Sequence, residues 1–270
     1  MILVFRIVLL LILALLWLIF GLIVCVCRPG HRGNIYWLTQ MLRCARWAIG
    51  IKVDSQIDVK AIREEMPAVF VGNHQYNWDI IVMADIPQPG IACIGKKSLM
   101  WTPIFGLLFY LSGNIFIDRS KSSKGGNEIL KIAEIIKTKK KSIWIFPEGH
   151  RSKGKGIQPF MNGAVNIANQ SGVKILPFAI SSYKIDLNRW DNGTVTIKSL
   201  PPVTVDNLDR KGVKMVTRQL RQDMKDCIDN MDKANGFIRE YDKQSDNQET
   251  AGSGSEVKNE NAGTVSEDNK

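Results

Sequence analysis

Residues 7 to 27 form a run of 21 positions without a charge, rich in leucine and isoleucine, and Arg28, His31 and Arg32 follow at once. At 1.5 Å per residue this run predicts a helix of about 31 Å, close to the hydrocarbon thickness of a bilayer. The apolar part of a cleaved signal peptide is shorter and ends in a small-x-small site, so the pattern predicts a retained anchor. Beyond the break at Arg28-Pro29-Gly30, residues 34–50 put Leu38, Met41, Leu42, Ala45, Ala48 and Ile49 on one helical face and Thr39, Arg43 and Arg46 on another. With Tyr36, Trp37 and Trp47, that segment predicts one basic amphipathic helix suited to a membrane surface. Arg28, Arg32, Arg43, Arg46 and Lys52 lie after the apolar run, against Arg6 and the amino terminus before it. This bias places the rest of the chain on the cytoplasmic face.

Apolar runs at 68–72, 91–95, 114–117, 142–146, 174–180 and 194–200 then alternate with helical patterns at 78–84, 103–111, 127–139 and 163–170. Alternation of this kind predicts an α/β fold, a mixed sheet flanked by helices, behind an N-terminal membrane-associated two-helix segment. Pro177 breaks the fifth of these strands. Between Met215 and Tyr241, Val216, Leu220, Met224, Cys227 or Ile228, and Met231 recur at helical spacing and predict a helix packing a thin apolar stripe. From Gln244 onward almost nothing is apolar, which predicts disorder. The expected organisation is therefore an anchoring helix pair at 1–52, a domain at 53–243 and an acidic tail at 244–270. Removing residues 1–50 is expected to leave the domain intact in principle and to slow work on a long-chain substrate held in a bilayer more than on a short-chain soluble one.

A chain of 270 residues suffices for one α/β domain with a full core. Its net charge is +10, and residues 1–243 alone carry 34 Lys and Arg against 20 Asp and Glu. Such a charge favours nucleic acid, anionic membranes or anionic substrates. No nucleic-acid motif accompanies it, whereas a lipid-facing segment does, so membrane lipid and phosphate are the expected partners. The run Lys137, Lys139, Lys140 and Lys141 reads as a solvated helix end that can also meet anionic lipid or an acidic partner. Cys25, Cys27, Cys44, Cys93 and Cys227 lack zinc-ligand spacing and read as reduced thiols.

Candidate chemistry begins at Asn73-His74-Gln75-Tyr76-Asn77-Trp78-Asp79. Histidine accepts a proton near neutral pH, and a carboxylate behind it fixes its tautomer and stabilises the imidazolium. On one continuous helix, groups five residues apart point about 140° away from each other. His74 and Asp79 therefore meet only if a strand ends in a loop bearing the histidine and a helix begins at the aspartate. Phe146-Pro147-Glu148-Gly149-His150-Arg151-Ser152 follows another strand-like run. Gly113-Asn114-Ile115-Phe116-Ile117-Asp118-Arg119-Ser120 puts an arginine at the end of a third, and Ile175-Leu176-Pro177-Phe178 is the fourth element. Ligand sites of open α/β sheets collect at the carboxyl ends of strands, where these residues fall.

Four motifs in this order resemble the glycerolipid acyltransferases that carry an H-x-x-x-x-D motif, most closely the bacterial 1-acylglycerol-3-phosphate acyltransferases. The resemblance covers about residues 1–240, and His150 stands where that family usually has threonine. It implies transfer of an acyl group from acyl-CoA or an acyl carrier protein to lysophosphatidate, without metal or other cofactor, at the bacterial inner membrane. His74 is then the base for the attacking glycerol hydroxyl, and Asp79 orients it. Arg119 and Arg151 hold the acceptor phosphate, with Lys96 or Lys97 adding a point charge. Glu148 holds a glycerol hydroxyl or orients Arg151, and Gly149 lets the backbone approach the substrate. Asn73 or nearby loop amides are candidates for the oxyanion. Other acceptors within the family are glycerol 3-phosphate and other lysophospholipids. A membrane-anchored anionic-lipid-binding protein would need no base. A metallohydrolase would lack nitrogen ligands, since only His150 is near in kind.

Overall fold

Val69, Phe70 and Val71 are buried on both sides because their strand, β2 (Val69–Gly72), is the middle one of seven. The structure, a computed structural model, describes residues 1–102, 105–117 and 126–237. The other strands are β1 (Lys52–Gln56), β3 (Ile91–Lys96), β4 (Ile115–Ile117), β5 (Ser142–Ile145), β6 (Ile175–Ile180) and β7 (Thr194–Ser199). They lie in the order β1-β7-β6-β2-β5-β3-β4, all neighbours parallel except β6 and β7. The sheet is mixed, as the alternating pattern predicts. The strand that pattern missed is β1, an edge strand of sequence Lys-Val-Asp-Ser-Gln with no apolar run to announce it.

Strand side chains alternate between two cores. Phe70, Trp144, Leu176 and Phe178 enter one, covered by Ala45 and Ile49 of α3 (Ala45–Ile49), by Ile62 of α4 (Val59–Glu64) and by Ile81 and Val82 of α5 (Asp79–Val82). Val69, Val71, Ile143 and Ile175 enter the other, against α7 (Gly126–Lys139), α8 (Gly163–Ser171) and α9 (Arg210–Ala234). On α9 the buried residues include Leu220, Met224, Ile228 and Met231, the stripe expected from its spacing. Pro177 does not break β6. Its carbonyl accepts from the amide of Leu200, so its nitrogen faces the β7 side one step beyond the last β6–β7 pair, and only the return bond at the end of the ladder is missing.

Residues 34–50 are two helices rather than one, α2 (Asn34–Leu42) and α3, with a turn between them. Neither sits apart from the domain. Ile35 lies in one core and Ala45 and Ile49 in the other, so packing does not divide the chain at residue 52. Arg46, expected on a lipid-facing basic side, turns inward instead. Its guanidinium donates to the carbonyls of Ile81 and Val82 (3.0 and 2.7 Å) and pairs with Asp85 at 2.8 Å, satisfying the open end of α5.

The first helix, α1 (Ile2–Cys27), also rests on the domain. Leu10 and Leu13 pack on the first core, while Trp17 and Cys25 join Leu38 and Leu108 farther along. Gly21 permits this approach, since a Cβ there would stand 2.9 Å from a Leu38 methyl. Arg6, which precedes the uncharged run, is 1% exposed and donates to the carbonyls of Ile49 and Trp190. A helix of about 39 Å held near both ends to one domain lies along it. Leu11, Leu15, Ile19, Ile23 and Val26 remain exposed. Lys141 likewise leaves the basic run, donating to the Gly113 carbonyl at 3.2 Å. Arg119 and the acidic tail at 244–270 lie outside the described residues.

Candidate active site

β2, β5 and β6 are adjacent and parallel, so the loops after their carboxyl ends converge. The loop after β2 carries His74, the loop after β5 carries Glu148, and the segment after β6 carries Tyr183. Asp79 opens α5, and its carboxylate turns back onto the loop that precedes the helix. His74 Nδ1 stands 2.6 Å from Asp79 Oδ2, the strand-loop-helix meeting that the spacing requires. The same oxygen accepts from the amides of Gln75 (2.7 Å) and Tyr76 (3.1 Å). Oδ1 accepts from the hydroxyl of Tyr183. Asp79 is 3% exposed, and these donors replace water around its charge.

The imidazole is anchored on its second side by stacking on Phe146 at 4.1 Å, at the end of an aromatic row through Trp144 to Phe70 and Phe178. With Nδ1 turned to Asp79, Nε2 is left for the space in front of the ring. That space is a cavity of about 550 Å³ bounded by His74, Asp79, Trp17, Leu38, Ile80, Cys93, Leu99, Phe105, Leu108, Phe109 and Phe146 among others. Its wall is mostly aliphatic and aromatic, and it joins the His74 loop to helices α1, α2 and α6 (Phe105–Leu111). Burial pushes the Cys93 thiol up to about 12, so at neutral pH it is a protonated wall residue and no nucleophile.

Glu148 lies beneath the loop and is 4% exposed. One carboxylate oxygen accepts from the amide of His74 at 2.7 Å and the other from the amide of Gln158 at 2.9 Å. Burial raises its pKa, and the two amide bonds oppose that rise. This bracing of the histidine loop was not foreseen from the motif. Backbone bonds from Ser152 to His74 and from Lys153 to Gln75 (2.9 and 3.1 Å) tie the two loops together. Asn73 is not placed as an oxyanion donor. Its side chain is buried and bonds in both directions to the backbone of Ile180.

Gly149 has φ +74°, and a Cβ there would fall 2.2 Å from the Met161 terminal methyl. The methyl can swing away because Met161 is exposed, but the left-handed backbone cannot be avoided. Gly149→Ala is expected to cost about 1–2 kcal/mol, read as a lowered midpoint of chemical denaturation. Arg151, beside it, is exposed with no hydrogen bond or ion pair among the described residues. Lys96, the last residue of β3, and Lys97 after it are also exposed and do not line the cavity, although neighbouring Gly95 and Leu99 do.

Sequence reasoning missed Tyr183, Gln75 and the α1–α2–α6 wall. A position just past the carboxyl end of β6 was the available signal for Tyr183. Among the described residues, no group of three or more His, Cys, Asp or Glu is assembled as a metal site.

A family model described as Acyltransferase matches residues 55–181. The chain is 36% identical over 232 residues to the 1-acyl-sn-glycerol-3-phosphate acyltransferase of Salmonella typhimurium, covering 85% of this chain and 94% of that one. It is 35% identical to the protein of the same name from Escherichia coli, with the same coverage. The crystal structure of the 1-acyl-sn-glycerophosphate (LPA) acyltransferase from Thermotoga maritima superposes with a TM-score of 0.60 at 19% identity. That match covers 78% of this chain and 87% of the other, and it shows a shared fold.

Proposed function

The chain belongs to the acyltransferase family, and we propose on that premise that it acylates the sn-2 hydroxyl of 1-acylglycerol 3-phosphate to form phosphatidate. The observation that carries the reading is the His74–Asp79 pair set in the wall of an apolar cavity. A glycerol hydroxyl is a poor nucleophile at neutral pH, so its proton must leave as the C–O bond forms. His74 Nε2 takes that proton while Asp79 holds Nδ1 and balances the imidazolium. The thioester carbonyl becomes a tetrahedral oxyanion. Its collapse expels the thiolate, which takes from Nε2 the proton that the glycerol hydroxyl gave up. Hydroxyl attacks thioester directly, with no acyl-enzyme, and the cavity holds an acyl chain.

The donor is acyl-CoA or an acyl carrier protein. Arg151 and Arg119 hold the acceptor phosphate, with Lys96 and Lys97 adding charge. Membrane lipid is the working surface. The exposed apolar side of α1, with Trp37 and Trp47, enters one leaflet at the cytoplasmic face of the inner membrane. An acceptor chain then stays in lipid, avoiding about 0.8 kcal/mol per exposed CH₂.

The test supplies purified protein in vesicles with lysophosphatidate, glycerol 3-phosphate or lysophosphatidylcholine, each with both donor types. Phosphatidate is the expected main product, and a preference for another acceptor would displace the reading. Arg151→Lys replaces a planar fork with a point charge. It should raise the Michaelis constant for lysophosphatidate by roughly tenfold, about one charge-assisted hydrogen bond, with little change for the donor. A defect confined to the donor would reassign Arg151.

A further inference from the structure

Tyr183 is an ionisable side chain within the site that the proton transfer above does not use. Its ring is 3% exposed and meets the edge of Tyr76 at 5.4 Å, and its hydroxyl ends on Asp79 Oδ1. We propose that Tyr183 is a positioning residue for the reaction, its hydroxyl fixing the rotation of the Asp79 carboxylate and moderating the charge that His74 feels. The inference rests on the reading of His74 as the base.

Asp79 divides its donors unevenly. Oδ2 receives His74 Nδ1 and two loop amides, while the hydroxyl of Tyr183 is the donor at Oδ1. No Lys or Arg pairs with Asp79 among the described residues. Glu148, a second carboxylate, lies on the far side of the His74 backbone, and Tyr76 flanks Tyr183. The negative charge is therefore shared out only through hydrogen bonds and the imidazole. Without the Tyr183 hydroxyl, Oδ1 would be a buried acceptor with no hydrogen-bond donor recorded among the described residues. More charge would then fall on Oδ2, which strengthens its hold on the imidazolium.

The tyrosine is equipped for this task. Burial and the adjacent Asp79 charge raise its pKa, so it remains a donor throughout the working range. The backbone just before it is held from two directions. The amide of Ser182 donates to Asp232 of α9 at 2.7 Å, and Gln75 Nε2 donates to the Ser181 carbonyl at 2.9 Å. The loop that presents His74 thus also fixes the segment that steadies its partner.

The test uses the full-length protein in vesicles and compares the native enzyme with Tyr183→Phe. Turnover should fall about tenfold, the value of one hydrogen bond to a charged group, with both Michaelis constants unchanged. The acid limb of the pH–rate profile should move to higher pH. Because Tyr183→Phe can impair folding, the second variant places 3-fluorotyrosine at residue 183, which keeps the shape and strengthens the donor. Its acid limb should move to lower pH. In the folded variants, the downfield Nδ1 proton resonance of His74 should shift, a readout independent of turnover. Native pH profiles and an unmoved resonance would overturn the proposal, as would a loss of stability alone. Absence of acyl transfer by the native protein would instead refute the function proposed above, while the resonance still tests Tyr183.

Discussion

Replacing His74 with alanine is expected to lower acyl transfer by about 10²–10⁴-fold while the protein stays folded. The backbone of His74 is held independently of its ring, by Glu148 at the amide and by Ser152 at the carbonyl. The ring itself contacts Phe146 and Asp79 at the cavity, with about a quarter of the side chain exposed. Its loss leaves Asp79 with Gln75, Tyr76 and Tyr183 as donors, so the stability cost should stay near 1–2 kcal/mol. Turnover and the thermal midpoint, measured on the same preparation, separate the two effects. Near-normal turnover by the folded variant would remove His74 from the role of base. Asp79→Asn makes a useful contrast, because its amide group would also disturb the donors converging on that position.

Deleting residues 1–50 should abolish the folded protein, not merely detach it from lipid. The deletion removes Ile35, Leu38, Ala45, Ala48 and Ile49, all buried, together with Arg6 and Arg46. At about 1.5–3 kcal/mol for each large apolar side chain, the loss approaches the whole stability of a typical domain, about 5–15 kcal/mol. Arg46 adds a local effect, since the C-terminal carbonyls of the short helix that begins at Asp79 lose their donors. Circular dichroism and limited proteolysis of the truncated chain check this outcome. A stably folded 51–270 fragment with cooperative unfolding would show that the N-terminal helices are a detachable anchor after all.

That reversal marks where the sequence stops being sufficient. Unbroken apolar runs such as Ala68-Val69-Phe70-Val71 announce strands buried on both faces, and the interval from His74 to Asp79 announces a loop between strand and helix. Both are legible because the interacting groups are near neighbours, and chain geometry alone restricts how they can meet. The apolar run of α1 was legible for the same reason, as hydropathy summed over one helix. Its placement was not, because length and composition are the same for a helix crossing a bilayer and one lying along a domain. Only tertiary structure decided that Arg6 reaches Trp190, that Arg46 reaches Ile81, and that Glu148 grips the amide of His74. Tyr183 and Asp79 are likewise 104 residues apart. Such contacts depend on β6, β2 and β5 becoming neighbours, an order chosen by the packing of whole faces. No short interval of the chain encodes that choice. The sequence by itself determined most of the elements, their apolar faces and the meeting of His74 with Asp79. Tertiary structure decided which distant side chains hold that pair in place, because burial leaves each polar group to find its partner in space.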